Sequence, residues 1–325
     1  MIKTNKLFIR LTIFSLMIFA LAVSVFAQTK LRDALDYDGD DKADFAVFRT
    51  IDSTWYVNRS SGTVSSQQFG ISNSDTIVPG DYDGDGKGDL AVWRYTNRAW
   101  YVLNSSTGTV TTTIFGANGD EPVQRDYDGD GKTDIAVVRR TIGTGGAMIW
   151  WILRSQTSNA IAYQFGINTD YVAPGDYDGD GKFDYAIYRA GANNASQSFY
   201  YIARSSDNNF TVAPWGVGGD WVVPGDYDGD AKTDLAIARR GTMTEPVTWY
   251  VLRSSDSVLI AKPFGITEYD IPTQNDYDAD GKTDISVWRE TDGTFYVLKS
   301  AGSGETTFAS WGLISDFPIA SYDTH

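Results

Sequence analysis

A single Asp-rich pattern, Asp-x-Asp-x-Asp-x-x-x-Asp, recurs six times and confines this chain to folds made of repeated units. DYDGDDKADFAVFR begins at Asp36, DYDGDGKGDLAVWR at Asp81 and DYDGDGKTDIAVVR at Asp126. DYDGDGKFDYAIYR follows at Asp176, DYDGDAKTDLAIAR at Asp226 and DYDADGKTDISVWR at Asp276, giving spacings of 45, 45, 50, 50 and 50 residues. The rest of each unit repeats as well. Aromatic–Gly pairs stand at Phe69-Gly70, Phe115-Gly116, Phe165-Gly166, Trp215-Gly216, Phe264-Gly265 and Trp311-Gly312. Six residues before loops two to six lies another acid: Asp75, Asp120, Asp170, Asp220 and Asp270. Between loop and aromatic–Gly runs a Trp-Tyr-Val-Leu-Arg-Ser type of segment, starting at Trp55, Trp100, Trp150, Tyr200, Trp249 and Phe295.

Each unit holds four short runs rich in Val, Ile, Thr and aromatics, in the second Thr76–Val78, Leu90–Arg94, Trp100–Leu103 and Val110–Phe115. They are too short for helices and are separated by turn residues, so they read as strands. Four strands per ~45–50 residues, repeated, is the signature of a β-propeller, an all-β fold of four-stranded blades. A linear β-solenoid is the other reading, but its coils are usually shorter. Six units predict six blades. Closure of the ring has two candidates. Asp316–Tyr322 resembles the strand before a loop and would complete the first blade as a clasp. If Lys30–Leu35 takes that place, the carboxy-terminal strand begins an unfinished seventh blade.

In the loop itself, carboxylates at positions 1, 3 and 5 point into one concavity, position 7 offers a main-chain carbonyl and position 9 adds a further carboxylate. The candidate ligands are Asp36, Asp38, Asp40 and Asp44; Asp81, Asp83, Asp85 and Asp89; Asp126, Asp128, Asp130 and Asp134. In the later units they are Asp176, Asp178, Asp180 and Asp184; Asp226, Asp228, Asp230 and Asp234; Asp276, Asp278, Asp280 and Asp284. Hard oxygen donors on a flexible loop suit Ca²⁺ better than Mg²⁺. An EF-hand shares the opening of this pattern but needs flanking helices and Glu at position 12. Here position 12 is Val47, Val92, Val137, Ile187, Ile237 or Val287, each inside a strand pattern. Glycine at position 6 supplies the positive φ of the sharp turn. Asp41 and Ala231 replace it and must place a side chain at positive φ; Ala279 replaces the glycine at position 4, where no such demand is expected. These loops are expected to bind less well, the fifth least, because Ala tolerates positive φ poorly.

Phe-Gly, then Asp, then DxDxDGxxDLAV, in that order, resembles the FG-GAP/VCBS repeat family, the propeller units of integrin α-subunits and many bacterial exported proteins. The resemblance covers about residues 30–323. It implies a propeller with up to six calcium ions, each in the loop between a blade's first and second strand, held by the Asp at positions 1, 3, 5 and 9. It implies no one activity: members adhere, bind glycans or accompany enzymes.

Lys3, Lys6 and Arg10, the apolar stretch Leu11 to Phe26 and small residues at Val25 and Ala27 predict an export signal over residues 1–27. Residues 28–325 would then form one propeller domain, secreted, surface-bound or periplasmic, with no membrane insertion after cleavage. The chain has no cysteine, its one histidine is His325, and 37 of its 42 acids are Asp. Thiol catalysis is impossible, histidine chemistry is disfavoured, and the reading is of no enzyme. A formal charge of −15 argues against a nucleic-acid partner. The expected partner is an extracellular protein or glycan, with a lectin proper, or a polysaccharide lyase or hydrolase, as rivals.

Arg49, Arg94, Arg139, Arg189, Arg239 and Arg289 at position 14 are expected to pair with the Asp before each loop. The lysines at position 7 (Lys42, Lys87, Lys132, Lys182, Lys232, Lys282) are expected to be solvated, and the Trp/Tyr run to pack between blades. Units three to five carry longer connections, Arg140–Ile149, Ala190–Phe199 and Arg240–Thr248. These would lie side by side on the face opposite the Asp loops, as a candidate partner-binding arc.

Overall fold

A computed structural model describes residues 34–243, 245–301 and 304–320. The signal reading at 1–27 and the remnant Ser321-Tyr322-Asp323 lie outside these residues. In the second unit Asp75–Ile77, Leu90–Arg94, Ala99–Leu103 and Val110–Ile114 pair in that order as an antiparallel meander. Six such four-stranded sheets form six blades, so the fold is a six-bladed all-β propeller. Among the described residues there is no α-helix, hence none long and apolar enough to cross a membrane.

The first strands surround an axial channel of about 340 Å³, lined by a proline from each of five blades: Pro79, Pro122, Pro174, Pro272 and Pro318. Proline has no N–H to donate. Its recurrence here blunts the inner sheet edges against pairing with a further strand.

Blades are wedged apart and held by large side chains. Trp55, Trp100, Trp150, Tyr200, Trp249 and Phe295 lie in the third strands and are fully buried. The expected packing role holds. The position-12 residue of each blade enters the cluster of the blade before it: Val92, Val137, Ile187, Ile237, Val287 and Val47 are all at most 1 % exposed. A glutamate there, as an EF-hand would need, has no water to face. The aromatic–Gly glycine lies against this same residue. A Cβ on Gly70 would come within 3.2 Å of Val92 Cγ1, at a φ of +115° that favours glycine.

The ring closes through the carboxy-terminal strand. Asp316–Pro318 pairs with Phe45–Arg49, matching Arg49 to Asp316 and Val47 to Pro318. Among the described residues no seventh blade begins. Arg49 grips Asp316 through Nε and Nη2, both at 2.8 Å. The same bidentate pair joins second and first strands in the other blades: Arg94–Asp75, Arg139–Asp120, Arg189–Asp170, Arg239–Asp220 and Arg289–Asp270. The expected ion pairs are thus present in all six blades. Each aspartate also accepts an N–H from just after the aromatic–Gly pair, for instance Ile71 to Asp75 and Leu313 to Asp316.

Asp316→Ala removes the carboxylate of the one pair that joins the two ends of the chain. It is expected to cost about 2–4 kcal/mol, since the orphaned guanidinium is only partly solvated. Thermal melting checks this; an unchanged midpoint would show that the clasp does not depend on the pair.

Candidate metal centres

In blades two to six each Asp loop connects the first and second strands; in the first blade, whose first strand comes from the carboxy-terminal end, it leads into the second strand. Its shape is set by the position-1 carboxylate. In every loop one oxygen accepts the position-4 N–H at 2.6–2.7 Å and the other accepts the position-6 N–H at 2.8–3.0 Å. The backbone so curled needs left-handed φ at both places. Position 6 has Gly86, Gly131, Gly181 and Gly281 with φ of 80–85°, and Asp41 and Ala231 follow at 69° and 70°. Position 4 makes the same demand, which corrects the expectation that only two replaced glycines would be strained: Ala279 is held at φ 64°.

The position-9 aspartate is the anchor of the loop. One oxygen accepts the N–H of the position-2 tyrosine at 2.8–3.0 Å. The other accepts the N–H of a serine in the turn between the third and fourth strands, at 2.6–2.8 Å. The hydroxyl of that serine bonds the position-5 aspartate, as in Ser105 to Asp85 and Ser155 to Asp130. Ser60, Ser105, Ser155, Ser205, Ser254 and Ser300 are therefore part of the site. Their signal was the serine ending the aromatic run in all six units.

In five of the loops three of the four carboxylates gather at one concavity. Oxygens within 4.8 Å of one another, close enough to share a cation, come from Asp36, Asp38 and Asp40; Asp81, Asp83 and Asp85; and Asp226, Asp228 and Asp230. In the third and fourth loops the trios use position 9: Asp126, Asp128 and Asp134, and Asp176, Asp178 and Asp184. The position-3 acids carry the most telling feature. Both oxygens of Asp38 and one each of Asp83, Asp128 and Asp178 are buried and accept no hydrogen bond. An unsatisfied buried carboxylate oxygen is costly unless a cation meets it. The donor set is all oxygen, so it fits a hard divalent ion.

Electrostatics points the same way. Burial, aided by neighbouring carboxylates, pushes Asp44, Asp134, Asp184 and Asp234 up to about 7, and Asp81, Asp176 and Asp284 up to about 6. The fifth loop differs at position 3. Burial pushes Asp228 up, but the Ser255 hydroxyl and the Arg253 guanidinium, 3.2 Å away, outweigh it and hold the carboxyl below its ordinary value.

Neighbouring loops are bonded to each other. The position-8 N–H of each loop donates to the position-1 carbonyl of the preceding one at 2.6–2.8 Å, from Gly88 to Asp36 round to Ala43 on Asp276. The position-7 lysines are half-buried, not solvated as expected. The stems of Lys87, Lys132, Lys182, Lys232 and Lys282 cross the position-4 glycine of the preceding loop, so that a Cβ on Gly84 would lie 2.9 Å from Lys132 Cε. Lys132 Nζ then donates to the Asp83 carbonyl at 2.9 Å.

On the opposite face, each position-14 arginine lies between its aspartate and a third-strand ring: Tyr56, Tyr101, Trp151, Tyr201, Tyr250 or Tyr296, at 4.2–5.3 Å from the centroid. The longer connections of units three to five extend the hairpins there, with register shifts at Ala147/Ile149, Gln197/Phe199 and Pro246/Thr248.

A family model for FG-GAP-like repeats matches residues 36–92 and 126–187. No curated protein matches the chain. Among solved structures, a DUF4784 family protein from Bacteroides caccae is similar at 13 % identity and a TM-score of 0.45, over 82 % of this chain and 70 % of that one. A likeness of that size says nothing of function.

The raised aspartates bind protons more tightly folded than unfolded, where carboxyls titrate near 3.8. Their contribution to stability is therefore full below about pH 4 and lost as pH rises through about 6–7. In chelator, melting temperature is expected to fall between about pH 5 and pH 8, and saturating divalent ion should flatten that fall. A midpoint that rises over this range in chelator would contradict the loop electrostatics.

Proposed function

From a six-bladed propeller in which residues 36–92 and 126–187 match FG-GAP-like repeats, we propose an exported, calcium-stabilised binding module that holds an extracellular protein or glycan and performs no catalysis. The observation behind the calcium reading is the set of buried, unpartnered oxygens of Asp38, Asp83, Asp128 and Asp178 beside their neighbouring aspartates. The ligands would be the position 1, 3, 5 and 9 carboxylates and the position-7 carbonyl. The fifth loop is the weakest site, because Arg253 already neutralises Asp228 and Ala231 occupies a left-handed turn. With free calcium at ten times Kd, each filled loop adds about 1.4 kcal/mol. Several such sites together match the usual stability of a domain.

Export places the loops where calcium is plentiful, and the charged-then-apolar residues 1–27 support it. A cysteine-free exported chain gains its cross-links from metal in place of disulfides. The absence of cysteine and of any histidine before His325 supports a role other than catalysis. Binding is assigned to the face opposite the loops, where three consecutive blades carry the long connections 141–146, 190–196 and 240–245. Rigid blades with variable connections at one end suit recognition.

Shortening those three connections to the four residues that join the same strands in the other units (50–53, 95–98 and 290–293) is expected to abolish partner capture on a glycan array or surface-protein panel. Calcium-dependent melting should stay the same. Retained capture by the trimmed protein would reject the face.

A further inference from the structure

Two equivalent arginines on the long-connection face have different surroundings. In the third blade Arg140 follows Arg139, and its Nε and Nη2 bind Glu121 Oε2 at 3.0 and 2.7 Å. Its Nη1 donates to the carbonyls of Asn168 and Asp170 at 3.2 and 2.6 Å. That guanidinium is spent on the fold. In the fifth blade the matching residue is Arg240, and the place of Glu121, next to the recurring Asp at 220, is taken by Trp221. Arg240 is exposed and lies 4.9 Å over the Trp221 ring; among the described residues no carboxylate pairs with it.

Arg240 borders a cleft of about 610 Å³ between the fourth and fifth blades. Asn194, Thr242, Thr267 and Glu268 share that cleft, with backbone exposed at Gly219. Its size is that of a small-ligand site. The ring beneath fixes the plane of the guanidinium while leaving its N–H fork unclaimed, which suits bidentate capture of a carboxylate. Glu268 in the same cleft opposes a dianion such as a phosphate. The polar lining offers an amide, hydroxyls and a carboxylate to a ring of sugar hydroxyls, and few apolar anchors for a peptide. The acidic chain as a whole, at −15, repels a polyanion and favours isolated acidic units.

Building on the binding role proposed above, we infer that the cleft between blades four and five binds a glycan bearing single uronic acid units, with Arg240 gripping the carboxylate. Asn194, Thr242 and Glu268 bond the hydroxyls of the same sugar.

The test is calorimetric titration, in calcium, of a tetrasaccharide alternating glucuronate with N-acetylglucosamine, beside its carboxyl-reduced form. The intact sugar is expected to bind about tenfold or more tightly than the reduced one. Arg240→Gln should lose that difference and bind the two forms equally, with its melting temperature unchanged because the residue is exposed. No binding of the tetrasaccharide, or equal binding of both forms by the unmutated protein, would overturn the assignment. So would an Asp-rich peptide that binds at Arg240 while the sugar does not. If trimming the three connections still abolishes capture of some other partner, the binding face survives and only the uronate reading falls.

Discussion

Placing carboxylates inside a protein without a counter-charge is the constraint on which this propeller rests. Each loop buries its position-9 aspartate fully or nearly so and spends both oxygens on backbone N–H groups from two different turns. Those bonds fix where the second strand starts and where the third-to-fourth turn sits. They also crowd further carboxylates into the same hollow, where some buried oxygens meet no donor. Protons or a cation must balance what the N–H groups leave over. The shape of the loop and its capacity to hold an ion have one cause.

The loops are also the place where blades communicate. The position-8 to position-1 hydrogen bonds run through all six interfaces, including the one between the last unit and the first. Lysine stems lie over the preceding loop at the same level. A propeller blade cannot bury both faces alone, so its neighbours are part of its core. At the other end of the blades, arginines held between aspartate and aromatic ring give each one a second fixed corner. The molecule is thereby bonded at both ends of every blade, leaving the long connections of blades three to five free to differ.

Much of this was legible in the sequence, for definite reasons. A unit repeated six times displays its strands through the run Val-Ile-aromatic and its loop through Asp spacing, so the blades and the Arg–Asp pairs could be read directly. The failure of the EF-hand pattern at position 12 was equally visible, and Val92 and its equivalents proved to be core. Contacts between units were not visible. The lysine stems act across a blade boundary, where one unit's pattern holds no information about its neighbour; the serine clamps act within a blade, and their one signal was the serine recurring at the end of the aromatic run. Position 4 was misjudged because a single glycine sufficed as the template for the turn, whereas the position-1 carboxylate draws in two N–H groups and bends the chain twice. Closure was ambiguous because both ends carried a segment able to form the strand; Asp316, spaced from Trp311-Gly312 like its counterparts, was the residue that distinguished them.

The account is tested most directly by calcium titration of the chelator-stripped protein in a calorimeter near neutral pH. It predicts saturable uptake of more than one and at most six ions per chain, with protons released as the raised aspartates give way to metal. Absence of binding heat, together with no metal retained on dialysis against calcium buffer, would contradict it.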